Sequence, residues 1–128
     1  LTMGNGTPIG RVRGLGSAHS GSHHWLLQRF TAIGTLVPAL WLVCSLVAMG
    51  DRSFKGVHAW ASQPLSAILL GLLVLGSFWH ARLGVQVMIE DYVHETANKF
   101  AAIMLLNLAA FAGAAFGLLC VVRLALGA

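Results

Sequence analysis

The sequence predicts an all-α integral membrane protein that crosses the bilayer three times. Three observations lead there. Of 128 residues, 57% are apolar and only 9% are charged, whereas an ordinary soluble domain carries about a quarter charged residues. The mean hydropathy is +0.78. The apolar residues fall into three long runs separated by short polar stretches, and each crossing takes about 20 predominantly apolar residues. Three crossings nearly fill the chain and leave room for a single membrane domain, expected over residues 25–128.

Residues 1–24 come first and read as a loose surface arm. They are rich in Gly, Ser and His, carry Arg11 and Arg13 and hold no acid. They lack the apolar core and small-residue cleavage site of a secretory signal, and show no amphipathic period of the kind an organelle-targeting segment would carry. The first crossing is expected over about 25–49, closed by Gly50-Asp51-Arg52-Ser53. Pro38 inside it predicts a local kink, tolerable where neighbouring groups satisfy the freed carbonyl. The second is expected over about 64–89, with Pro64 suited to a first helical turn. The third, about 98–122, contains "NLAAFAGAAFG" at 107–117. Small residues let helix backbones approach closely, so this helix is expected to pack against protein on one side.

Charge and cysteine usage exclude several classes. The net charge of +4 comes from eight Lys/Arg, most of them at segment ends, a pattern of interfacial anchoring rather than of a nucleic-acid surface. Cys44 and Cys120 lie inside apolar runs without metal-ligand spacing, and are expected to be packing residues. With the N-terminus inside, the inner face holds Arg11, Arg13, Arg29 and Lys99, against Arg52, Lys55 and Arg123 outside. That slight positive-inside bias places the N-terminus in the cytoplasm or matrix.

Within this apolar frame a few polar residues need a reason. The run Pro64 to Trp79 has no charge, and His80 and Arg82 follow it. His80 lies roughly 15 Å below the polar end of its segment at 1.5 Å per residue, near mid-membrane. An interhelical hydrogen bond is the plain structural explanation. The alternative is ligation of a metal or haem iron through one ring nitrogen while the other is held by a hydrogen bond. His19, His23, His24, His58 and His94 all fall at or beyond helix ends, so a haem bound by His80 would draw its second ligand from another subunit. Tyr92 follows His80 by about 18 Å and 120° along a helix. It could be a belt anchor. Beside Asp91, with Glu90 and Glu95 flanking, its phenol could also hydrogen-bond a quinone carbonyl while the carboxylate orients it or passes protons. In "GSHHWLLQRFTA", residues 21–32, Arg29 follows His23 by about 9 Å if helical; its guanidinium would snorkel to the interface or hold a haem propionate or lipid phosphate.

These residues together resemble the small hydrophobic membrane-anchor subunits, of D type and cytochrome b556-like, of succinate dehydrogenase, respiratory complex II. The resemblance covers roughly residues 21–122. It rests on His80, Ala81, Gly84, Asp91, Tyr92 and Val93 at the end of the second crossing, and on His23, Arg29, Thr31 and Ala32 at the start of the first. It implies that His80 is an axial ligand of haem b, the second histidine coming from a C-type anchor subunit. It implies that Tyr92, supported by Asp91, binds ubiquinone near the iron-sulfur subunit, and that Arg29 and His23 lie near the haem propionates. The anchor pair would hold a flavoprotein subunit carrying FAD, where succinate is oxidised, and an iron-sulfur subunit carrying the clusters. This chain itself would bind no succinate. The setting implied is a bacterial inner membrane, or alternatively the mitochondrial inner membrane. The same residues would suit fumarate reductase. A redox-inactive membrane scaffold or transporter subunit, and a cytochrome b subunit of another dehydrogenase, are the remaining readings.

Overall fold

A computed structural model describes residues 21–127. It contains four helices among them: α1 (Gly21–Ala48), α2 (Phe54–Ala61), α3 (Pro64–Tyr92) and α4 (Thr96–Ala125). Three of these, α1, α3 and α4, are long and apolar enough to cross a membrane. The arm expected over 1–24 lies outside the described residues as far as residue 20, as do Arg11 and Arg13; residues 21–24 form the first turn of α1.

Each helix boundary has a local cause. α1 runs unbroken through Pro38, which is buried; Pro38 has no amide for the carbonyl of Gly34, one turn back. Its C-terminal carbonyls are capped by Arg52, whose Nε donates to Leu46 O at 3.2 Å and whose Nη2 donates to Val47 O at 2.8 Å. Cations suit this negative end of the helix dipole. Asp51 and Ser53 then start α2. The Ser53 amide donates to Asp51 Oδ1 at 2.9 Å, and Ser53 Oγ accepts from the Gly56 amide at 3.2 Å as N-cap. Gly56 is required here, since a Cβ would strike the backbone carbonyl of Asp51. Pro64 opens α3 as expected. α3 then continues to Tyr92, beyond the boundary expected near 89, so that Asp91 and Tyr92 form its last turn. Glu95 caps α4, accepting from the amides of Ala97 at 3.1 Å and Asn98 at 2.7 Å.

The short helix α2 was not foreseen. Its eight residues contain only a brief apolar face, too short for a crossing. It fastens one end of the molecule: Trp60 stacks on Trp41 of α1 with ring centroids 5.3 Å apart, and the Ser62 hydroxyl is 2.9 Å from Leu124 O at the end of α4.

The spanning helices form one layer with α3 in the middle. α3 packs on α1 along one side and on α4 along the other, and α1 and α4 do not meet. Two rows on α3 make these seams. Gly76 and His80, one turn apart, face α1; a Cβ on Gly76 would come 2.8 Å from Thr35 Oγ1. Val74, Phe78 and Arg82 face α4, where Gly117 admits Val74 and Gly113 admits Phe78. The close approach expected of the small-residue stretch in α4 is therefore found, on α3.

Little is enclosed by such a layer. The buried side chains among the described residues are Thr31, Pro38, Ala61, Ser66 and Leu83, while Phe30, Leu105, Phe111 and Phe116 are more than two-thirds exposed. That surface suits hydrocarbon or another apolar subunit. Cys44 and Cys120 are free and exposed, so the packing expected of them is not made within the described chain.

Candidate functional site

His80 lies near the middle of α3. The helix has 29 residues, about 43 Å at 1.5 Å per residue, and His80 is about 18 Å from its C-terminal end. The imidazole is half-buried against α1, where its Nδ1 lies 3.2 Å from Thr31 Oγ1. Thr31 is itself buried, at 7% exposure.

The surroundings of Thr31 offer its proton two acceptors besides the ring. Its hydroxyl lies 2.9 Å from Leu27 O and 3.1 Å from Gln28 O, the carbonyls one turn back. A hydroxyl has one proton and two acceptor lone pairs. With that proton on either carbonyl, the Thr31 oxygen is free to accept from an Nδ1–H of His80. A neutral imidazole protonated at Nδ1 carries its lone pair on Nε2. In that tautomer His80 has a lone pair on Nε2 able to ligate a metal, and a hydrogen-bonded second nitrogen is the usual companion of such ligation. Gly84, one turn along α3, leaves open space where a Cβ would stand. A flat group beside the ring meets no side chain at that position. Among the described residues there is no cluster of three or more His, Cys, Asp or Glu able to hold a metal ion.

Asp91 and Tyr92 occupy the last turn of α3, both exposed, Tyr92 at 77%. The neighbouring acids are engaged elsewhere. Glu90 accepts from Gln86 Nε2 at 2.7 Å, and its backbone carbonyl accepts from Lys99 Nζ at 3.1 Å. Glu95 is spent on the α4 cap, and its two amide hydrogen bonds, that of Asn98 first, hold its carboxyl below the ordinary carboxylate value. Asp91 is left as the acid adjoining the phenol.

The first turns of α1 hold the remaining candidates. His23 is exposed, and Arg29, also exposed, lies 5.4 Å from the Trp25 ring centroid. At that distance the contact is a cation–π interaction, and the guanidinium keeps N–H donors suited to a carboxylate or phosphate. His80 and Tyr92 remain about 18 Å apart along α3, so haem-type and quinone-type candidates occupy separate levels of one helix.

Sequence reasoning missed three features. Thr31 was noticed as part of a motif but not as the partner of His80; a hydroxyl at comparable depth on a neighbouring crossing was the available signal. His24, next to His23, is half-buried with Nε2 lacking a hydrogen-bond partner. Arg82, whose role the sequence left open, donates from Nε to Asn107 Oδ1 of α4 at 2.6 Å; the lone amide in an Ala/Gly-rich stretch was its signal.

Over residues 3–115 the chain matches the family described as succinate dehydrogenase/fumarate reductase transmembrane subunit. It is 42% identical over 91 residues to the succinate dehydrogenase hydrophobic membrane anchor subunit of Rickettsia bellii, covering 71% of each chain. To the subunit of the same description in Paracoccus denitrificans it is 31% identical over 125 residues, 95% of this chain and 94% of that one. It is 33% identical over 94 residues to the succinate dehydrogenase membrane anchor subunit of Reclinomonas americana, covering 71% and 78%.

Proposed function

The chain belongs to the family of transmembrane subunits of succinate dehydrogenase and fumarate reductase, and from that premise we propose that it is the D-type anchor of a succinate:ubiquinone oxidoreductase, supplying one axial ligand to a shared haem b and part of a quinone-reduction site. It anchors succinate dehydrogenase in the membrane. Its bilayer partner is a C-type subunit that brings the second haem histidine, and the two together carry the iron-sulfur and flavoprotein subunits.

The observation that supports the haem assignment is the place of His80: mid-span, with Nδ1 3.2 Å from Thr31 Oγ1, an arrangement that leaves Nε2 for iron. A bound b-type haem supplies a one-electron redox centre within the bilayer. Arg29 has donors suited to a propionate, and His23 stands one and a half turns before it, at the same end of α1. For the quinone, Tyr92 donates its phenolic hydrogen to a carbonyl oxygen, and Asp91 orients the phenol or relays a proton from the aqueous side. With the N-terminus cytoplasmic, the Asp91–Tyr92 turn faces the cytoplasm of a bacterial cell, where the iron-sulfur subunit docks and protons are available.

The Thr31–His80 bond also favours a second reading, a redox-inactive scaffold in which the imidazole only joins two helices. A reduced-minus-oxidised optical spectrum of the complex purified through this chain separates them. The expected result is a b-type haem signal together with flavin and iron-sulfur partners, lost in His80→Ala while those partners still co-purify. A complex with those partners and an unchanged haem signal in His80→Ala returns His80 to an interhelical bond.

A further inference from the structure

We infer that Thr31 is a positioning residue for the haem ligand, acting through His80 by fixing which ring nitrogen carries the proton and how the imidazole plane is set about the α3 axis. The inference rests on the proposal that His80 binds haem iron. Its own support is geometric. Thr31 is buried and approaches His80 Nδ1 at 3.2 Å, and the two carbonyls beside its hydroxyl can take its proton, which frees an oxygen lone pair for an Nδ1–H of the ring. Without that acceptor the imidazole gains freedom both to exchange tautomers and to rotate about its χ2 torsion, which is broad by itself.

Neighbouring positions hold Thr31 in place. It sits on the α1 row that faces α3, with Thr35 one turn on, whose hydroxyl donates to Thr31 O at 2.8 Å. Gly76 admits Thr35 into the seam, bringing the two helices close enough for Thr31 and His80 to meet one turn further along. The register of the α1–α3 seam and the orientation of the imidazole are thus one constraint. A donated Nδ1–H also makes Nε2 a stronger electron donor to a bound metal. A stronger donor favours ferric over ferrous iron, so Thr31 would lower the potential of the centre relative to a ring with a free Nδ1.

Thr31→Val keeps the shape and the β-branch and removes only the hydroxyl; Thr31→Ser keeps the hydroxyl. Haem midpoint potential and the low-temperature electron paramagnetic resonance envelope are measured on the intact four-subunit complex, with subunit content checked on the same preparation. For Thr31→Val the expected result is about a tenfold shift of the ferric–ferrous equilibrium toward ferrous, an upward move of about 59 mV for a one-electron couple, with a broadened resonance. Thr31→Ser should restore both. An unchanged potential and envelope in an assembled Thr31→Val complex overturns the inference. Should that variant fail to assemble, Thr31→Ala is read in the same way. Retention of haem in His80→Ala sinks the ligand reading instead, a result that neither Thr31 variant could produce.

Discussion

Two side chains on α3, His80 and Arg82, are two positions apart and about 200° around the helix. One therefore bonds to α1 and the other to α4 at nearly the same depth. Ionisable groups within a span are costly and need partners, and each of these has one in a neighbouring helix. Replacing Asn107 by Ala should leave the Arg82 guanidinium with no amide acceptor and cost about 1–3 kcal/mol, read as a lower unfolding midpoint of the detergent-solubilised complex; an unchanged midpoint would mean that the bond is dispensable. At the end of the same helix, Tyr92→Phe removes one hydrogen-bond donor. The expected outcome is about a tenfold loss of quinone reduction, equivalent to about 1.4 kcal/mol, while succinate oxidation by a soluble dye stays within about twofold. Equal loss of both activities would point to an assembly defect. The residue scale is also where the sequence was most informative, because a lone histidine or tyrosine in an apolar frame stands out. What it could not supply was pairing: Thr31 and His80 are 49 residues apart, and only the seam between two helices makes them neighbours.

Elements were legible to the extent that composition decides them. The three crossings follow from apolar runs, and Pro64 marks the start of α3 as expected. α3 outran its expected end because helix continuation there is not set by apolar character: it passes through Glu90 and Asp91, although acids oppose the negative end of the helix dipole, until Val93, at ψ 105°, turns the chain out. α2 escaped notice because its defining bonds, the Ser53 cap and the Trp41–Trp60 stack, are not written as periodicity. Two outcomes belong at this scale. Gly113 lies under the Phe78 ring, so Gly113→Leu should force α4 off α3 and cost more than the 1–3 kcal/mol typical of overpacking, visible as loss of the assembled complex on native gels. Glu95 has its folded-state value depressed by the amides of Asn98 and Ala97. Its contribution is full above the ordinary carboxylate value of 4.5 and is lost as pH falls through the lower folded-state value. Hydrogen exchange at the Ala97 and Asn98 amides should accelerate in that acid range, and Glu95→Ala should show the faster exchange already at neutral pH. Indifference of those amides to the substitution would dismiss the cap.

For the whole molecule the deciding fact is the single layer. α3 touches both neighbours, α1 and α4 do not touch each other, and most large apolar side chains face outward. Lipid satisfies those side chains without specificity, whereas in the proposed reading a second set of helices would also enclose the haem site beside His80. Expressed without its proposed partners, the chain should migrate in mild detergent as mixed oligomers. Co-expression with the C-type, iron-sulfur and flavoprotein subunits should collapse these into one stoichiometric species by size-exclusion chromatography with light scattering; a well-behaved haem-free monomer would count against the anchor reading. Because the layer encloses almost nothing, a newly made copy reaches the bilayer with its helices formed but with no interior to distinguish a finished molecule from an unfinished one. If the proposed partners cover that surface, copies made in excess of them should be the ones membrane proteases remove, and the abundance of this chain should follow that of the scarcest partner.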